Sequence, residues 1–252
     1  MIYITGDTHG DFSRFNTKNF PEQKNMTKDD FVIVCGDFGG VWDGSKEERY
    51  WLDWLNGKPF TTLFVDGNHE NFDMLGRMPE ACWNGGKVHF VRDGILHLMR
   101  GQVFNIDGRT FFAMGGASSH DIDGGVLETG DPDYDIKRRR LDRQGVSYRV
   151  NHVSWWKEEL PSAGEYETAL KNLDAAGFKV DYVLSHCCPS GIADIIGRGL
   201  YRHDELTDFM ETIKERCDFK YWFCGHYHEN RIAARKFVPL YKRIMDIGEN
   251  FL

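Results

Sequence analysis

The chain has 252 residues and a formal net charge of −8. That length allows one large domain or two small ones with a substantial core. The acidic balance argues against a generic binder of nucleic acid or of anionic membranes.

No apolar run approaches the ~20 residues of a membrane span. Six cysteines without a C-x-x-C pair suit neither a disulfide scaffold nor a cysteine zinc site. The cysteine usage makes a reducing cytoplasm the simplest expectation. The opening run Met1-Ile2-Tyr3-Ile4-Thr5-Gly6-Asp7 has no basic flank and no cleavable apolar core, so it reads as a strand of the mature protein.

Residues 2–5 are predicted to form a strand ending in the tight turn Gly6-Asp7-Thr8-His9-Gly10-Asp11. The D-x-H spacing lets one carboxylate and one imidazole converge on a single ion; an Asx turn with a surface histidine is the alternative. A second strand, residues 31–34, runs toward Asp37, and a Gly-rich loop over 39–44 follows. Ser45 is the predicted N-cap of a helix over 46–55, closed by Gly57. Tyr50, Trp51, Trp54 and Leu55 recur at helical spacing, which assigns them to the core. A third strand, 61–65, delivers Gly67-Asn68-His69-Glu70. The Asn68 carbonyl suits a hard divalent ion; alternatively Asn68 caps a short helix through Phe72, Met74 and Leu75.

From 87 to 114 the pattern changes to short apolar runs, with Asp107-Gly108 as a two-residue hairpin signal. A long polar stretch over 115–147 contains His120, Asp121 and the run Arg138-Arg139-Arg140. Loops of that length are usually functional or mobile. The arginines either meet a phosphate or an acidic partner, or form a solvated helix face. Residues 151–177 are predicted helical, and the buried run 180–184 leads to His186. A helix is expected over 204–217. The run 221–224 delivers Gly225-His226-Tyr227-His228, and its H-x-H spacing places two imidazoles near one another. Short β-like runs at 237–240 and 243–247 complete the chain.

Five strand ends thus carry Asp7, His9, Asp37, Asn68, His69, His186, His226 and His228. Ligands of open α/β sheets bind at the carboxyl ends of strands. A nitrogen and oxygen donor set without thiolate favours Mn²⁺, Fe, Zn²⁺ or a similar metal.

On Asp7-x-His9, Gly36-Asp37, Gly67-Asn68-His69-Glu70, the isolated His186 and Gly225-His226-x-His228, the chain resembles the calcineurin-like metallophosphoesterase superfamily. The motifs keep the family's order and span residues 7 to 228. The resemblance implies an α/β fold: a four-layer αββα sandwich of two mixed sheets flanked by helices, with the metal site at strand carboxyl ends. It further implies one domain over 1–252, with a loop inserted around 115–147. Two divalent or trivalent ions are implied, Mn foremost, with Fe, Zn, Ni or Co as other choices. Asp7, His9, Asp37 and His228 would hold one ion, and Asp37, Asn68, His186 and His226 the second, Asp37 bridging.

The implied reaction is hydrolysis of a phosphomonoester or phosphodiester by in-line attack of hydroxide held between the metals. His69 would be the general acid, and Glu70 would orient a histidine or begin a helix. Asp43, His120, Arg138, Arg139 and Arg140 are the candidate substrate contacts. A small phosphorylated substrate is expected (a nucleotide, a phosphodiester or a phosphoprotein), with no generic nucleic-acid binding and no membrane. One departure stands out: Gly40 occupies a position where the family usually has Asp or Arg. That leaves Asp43 or Arg49 to supply the side chain, or nothing. A scaffold that kept the fold and lost the chemistry is the competing reading, but such a protein should have replaced ligands or His69, and none is replaced here.

Overall fold

Alternation along the central strands decides how the layers stack. The computed structural model describes residues 1–248. Its strands are β1 (Ile2–Thr5), β2 (Phe31–Cys35), β3 (Thr61–Val65), β4 (Glu80–Trp83), β5 (Gly86–Arg92), β6 (Ile95–Leu98), β7 (Gln102–Ile106), β8 (Arg109–Met114), β9 (Val126–Leu127), β10 (Arg149–Val150), β11 (Tyr182–Ser185), β12 (Tyr221–Cys224), β13 (Phe237–Pro239) and β14 (Met245–Asp246). The helices are α1 (Lys46–Asn56), α2 (Phe72–Leu75), α3 (Tyr134–Gln144), α4 (Ala163–Ala175), α5 (Ser190–Gly197) and α6 (Glu205–Arg216).

One seven-stranded sheet has the order β14-β1-β2-β3-β6-β5-β4, and a five-stranded sheet the order β13-β12-β11-β8-β7. In the first, β1, β2, β3 and β6 run parallel, while β14, β5 and β4 pair antiparallel. In the second, only β7 is antiparallel to its neighbour. Both are therefore mixed sheets.

On β2, Ile33 and Cys35 point to one side and Val32 and Val34 to the other, as the two-residue period requires. The first pair shares a buried cluster with Leu184 of β11 and Phe223 of β12, which is the layer between the sheets. Val32 and Val34 pack with Leu52 and Leu55 of α1 and Leu75 of α2. Beyond the second sheet, Val183 and Trp222 pack with Leu173 of α4, Ile192 of α5 and Met210 of α6. The result is helices, sheet, sheet, helices, as the resemblance implied.

Several local expectations change. Tyr50 is 62% exposed, and Leu52 takes the buried place beside Leu55. Asn71, not Asn68, caps α2 by accepting from the Met74 amide. The polar stretch 115–147 contains β9 and α3, because Arg and Lys are good helix formers once tertiary contacts hold Leu141. The region 151–177 is helical only from Ala163, after a single 3-10 turn over Lys157–Glu159. The exposed strand β4 and the helix α5 carried no periodic signal long enough to read.

Candidate metal centre

Parallel β1, β2 and β3 end at the same edge of the first sheet, and β11 and β12 end at the matching edge of the second. Contacts across the two sheets join these edges. The His226 amide donates to Asp7 Oδ1 at 3.0 Å, and His186 Nδ1 lies 2.8 Å from the Cys35 carbonyl. A carbonyl only accepts, so Nδ1 carries the proton and Nε2 is left facing the site. Nε2 is 3.3 Å from Asp37 Oδ1, an oxygen that also accepts from the His69 amide at 2.8 Å.

Two glycines make this convergence possible. A Cβ on Gly67 would stand 2.1 Å from Asp37 Oδ1, and one on Gly225 would stand 2.1 Å from Asp7 Oδ1. Each glycine precedes a candidate ligand and leaves room for another motif's carboxylate. Asp37, His9, His226 and His228 also adopt left-handed backbone, with φ of 45°, 47°, 67° and 51°. Such conformations cost of order 1–3 kcal/mol each and persist where the surroundings enforce them, characteristically at functional sites.

Asp7, His9 and His228 bring their ligand atoms within 4.8 Å of one another, a group able to hold a metal ion. His228 Nε2 is 3.0 Å from Asp7 Oδ2 and 3.2 Å from His9 Nε2, and its ring stacks on Tyr241. Asp37 Oδ2 is 3.8 Å from His9 Nδ1. Arg14 donates to the Asp7 carbonyl, Thr5 Oγ1 and the Tyr241 carbonyl, which fixes the first motif from behind. Asn68 is buried, its amide nitrogen 3.5 Å from Ser119 Oγ, and its Oδ1 has no hydrogen-bond partner. Buried polar atoms are normally paired. An orphaned buried amide oxygen, on the turn whose next residue gives its amide to Asp37, fits a bound cation.

The electrostatics agree. Burial raises the Asp37 carboxyl, but His186, His69 and His9 outweigh it and hold the group far below the ordinary carboxylate range. Burial lowers His186, and Asp37 and then Asp7 reverse this and raise it. His226 is held well below its usual value by burial and by His186. His228 is raised, first by its hydrogen bond to Asp7. His69 is lowered by burial, against Asp37, with the Arg149 charge adding to the lowering.

The remaining sequence expectations sort themselves by position. Asp43 lines a cavity of about 420 Å³ together with His9 and His69. His120 also reaches the centre: its Nε2 is 2.9 Å from His226 Nε2. Arg138, Arg139 and Arg140 sit exposed on α3, where Arg138 faces Asp135 within its own helix and none lines that cavity. They read as a solvated face. Glu70 orients no histidine and begins no helix. Its carboxylate accepts from the Phe38 amide at 2.7 Å and the Gly39 amide at 3.2 Å, bracing the turn that carries Asp37. Burial and the nearby Asp37 raise its pKa well above the usual value.

Gly40 has no stand-in at its own position: a Cβ there would lie 2.5 Å from the Phe38 ring and 2.9 Å from the Phe12 ring. Arg49 donates to the Gly44 carbonyl. The cation whose field reaches His69 is Arg149, clamped by Asp121 at 2.9 and 2.6 Å. Nothing in its local sequence marked it, because its partner lies 28 residues earlier.

Two mixed sheets carrying a histidine–carboxylate centre at their joined strand ends define the metallophosphoesterase class. The chain belongs to the calcineurin-like phosphoesterase family, whose profile matches residues 1–230. It is similar to proteins named lariat debranching enzymes. One from Caenorhabditis elegans is 25% identical over 94% of this chain and 48% of its own length. Lariat debranching enzyme A of Xenopus laevis is 26% identical over 98% and 45%, and the Arabidopsis thaliana protein 24% identical over 92% and 56%. The chain therefore spans about half the length of the curated relatives it matches. Among the described residues, no helix is long and apolar enough to cross a membrane.

Proposed function

We propose that this protein is a dinuclear metal-dependent phosphodiesterase. The observation that carries the reading is the buried pair Asp7 and Asp37, ringed by His9, His186, His226 and His228, with Asn68 Oδ1 left unpartnered. Asp7, His9 and His228 would hold one ion, Asn68, His186 and His226 the other, and Asp37 would be shared. Two such ions when bound would supply Lewis acidity toward a phosphoryl oxygen and lower the pKa of water. Mn²⁺ is the first choice for this oxygen and imidazole set.

The chain's own groups have defined tasks. His186 is locked in one tautomer by the Cys35 carbonyl, so its Nε2 is ready to ligate. Glu70 holds the Phe38 and Gly39 amides and so keeps Asp37 in its left-handed conformation. His69 faces the cavity through its ring while its amide holds Asp37. Burial lowers its pKa and favours the uncharged ring, which serves first as an N–H donor to a phosphoryl oxygen. An anionic phosphate alongside raises its proton affinity, which equips it to protonate the departing oxygen.

The similarity to proteins named for debranching supports a diester over a monoester, since a phosphate that joins a branch to a main strand is esterified on both sides. It also weighs against limiting the substrate to a small molecule. The test is metal analysis combined with hydrolysis of bis-p-nitrophenyl phosphate and p-nitrophenyl phosphate. Two ions per chain and preference for the diester are expected. Asp37→Asn should lose metal and hydrolysis together. His69→Ala should keep its metal and lose about 10²- to 10⁴-fold in turnover; loss of metal in that variant would make His69 a ligand and overturn its assigned part.

A further inference from the structure

Between β2 and α1 the chain wraps around the 420 Å³ cavity that opens beside His9 and His69. Its walls are aromatic: Trp42, Trp51 and Phe12. Asp43 and Glu47 stand among its lining residues, with no lysine or arginine. A pocket for a second phosphate would be expected to carry cations. This one presents π-faces and carboxylate acceptors instead.

The walls are held before any ligand arrives. The Trp42 carbonyl accepts from Asn71 Nδ2 at 2.6 Å, and the Trp42 ring stands edge-on to Trp156 at 5.4 Å. Trp51 is edge-on to Trp54 at 5.4 Å. Glu48 accepts from the Trp42, Asp43 and Gly44 amides, which fixes the loop between the two tryptophans. Both tryptophans are nonetheless only half-buried, so part of each ring stays available to the cavity. Preformed aromatic walls with a few placed polar groups are the usual build of a small-ligand site.

We infer that this cavity is a nucleobase subsite, and that the phosphodiester cleaved is that of a nucleotide. The inference rests on the phosphodiesterase reading, since the cavity adjoins His9 and His69 and so lies within reach of a group attached to a phosphate at the metal centre. A base supplies a flat π-face for tryptophan stacking, and its exocyclic amino group donates to a carboxylate such as Asp43 or Glu47. The acidic lining repels a further phosphate on that side, which favours a nucleoside attached through one phosphodiester over a polyphosphate chain. A quaternary ammonium group also likes aromatic walls and acids, and serves as the rival in the test.

The experiment is calorimetric titration of the protein in manganese chloride with cytidine 5′-monophosphate, ribose 5-phosphate and phosphocholine. Cytidine monophosphate should bind more tightly than ribose phosphate. Trp51→Leu should weaken cytidine monophosphate about 5- to 150-fold and barely move ribose phosphate, while Trp51→Phe should retain most of the affinity. Equal binding of the first two ligands, tighter binding of phosphocholine, or an equal loss for both sugar phosphates in Trp51→Leu would each overturn the subsite. Failure to hydrolyse any diester would instead sink the phosphodiesterase reading, whatever the titrations show.

Discussion

Asp66 shows how much of this site rests on residues that never touch it. It is fully buried, two residues before Asn68 in sequence, and accepts from Arg100 Nε at 2.8 Å and His97 Nε2 at 3.0 Å. Burial pushes its carboxyl up, but Arg100 and His97 prevail and hold it well below the usual range. A carboxylate depressed in the folded state stabilises above its unfolded pKa and loses that contribution as pH falls through the folded value. Asp66→Asn would leave the buried Arg100 with the Glu158 and Glu159 carbonyls and the more distant Glu165 carboxylate, and a loss approaching the roughly 3–5 kcal/mol of a broken buried pair is expected. Urea unfolding at neutral pH measures this, and a change under 1 kcal/mol would show that Arg100 finds other partners. Arg149 makes a second residue-scale case. Its charge acts on His69, and Asp121 aims it. If it binds the substrate phosphate, Arg149→Ala should cost about 1.5–3 kcal/mol, the worth of a hydrogen bond to a charged group. That is roughly a 10- to 150-fold fall in kcat/KM for the diester, carried mainly by KM, whereas an unchanged KM would reduce Arg149 to a surface clamp.

At the scale of elements, α1 forms one wall of the aromatic cavity beside His9 and His69. Ser45 caps it by accepting from the Glu48 amide, Leu52 and Leu55 seat it on the first sheet, and Trp51 leaves it for the cavity. Ser45→Ala should therefore cost about 0.5–2 kcal/mol in stability. In the subsite reading it should also weaken nucleotide binding more than metal binding; calorimetry on the same sample separates the two, and equal effects would mean α1 is merely structural. The cap was readable from the chain because it needs only neighbours in sequence. Trp51 was not: helical spacing places a tryptophan on an inward face but cannot tell a filled core from the wall of a cavity. The arginine run of α3 left two readings open, a phosphate contact or a solvated helix face, and the helix turns all three to solvent.

For the whole molecule, the decisive feature is that the candidate ligands come from two sheets. Asp7, His9, Asp37 and Asn68 follow strands of the first, and His186, His226 and His228 follow strands of the second. Ions bound between them would staple the layers together. Ligand binding to the folded state alone stabilises by about 2.7 kcal/mol at 100 times Kd, so manganese should raise Tm by several degrees and a chelator should reverse it. A Tm indifferent to both would mean that the centre does not form across the sheets.

Much of this was already present in the chain. Short apolar runs followed by Gly-Asp, Asn-His and His-x-His are local patterns, and local patterns suffice to propose strands, turns and donor atoms. The candidate donors at five strand ends were readable for that reason. Spacing along a chain carries no information on which strands lie side by side, so the partners of Glu70, the free Oδ1 of Asn68, the approach of Arg149 and the hollow beside Trp51 became visible only with the fold. Each depends on a contact between segments 28 or more residues apart, or on space that no residue fills.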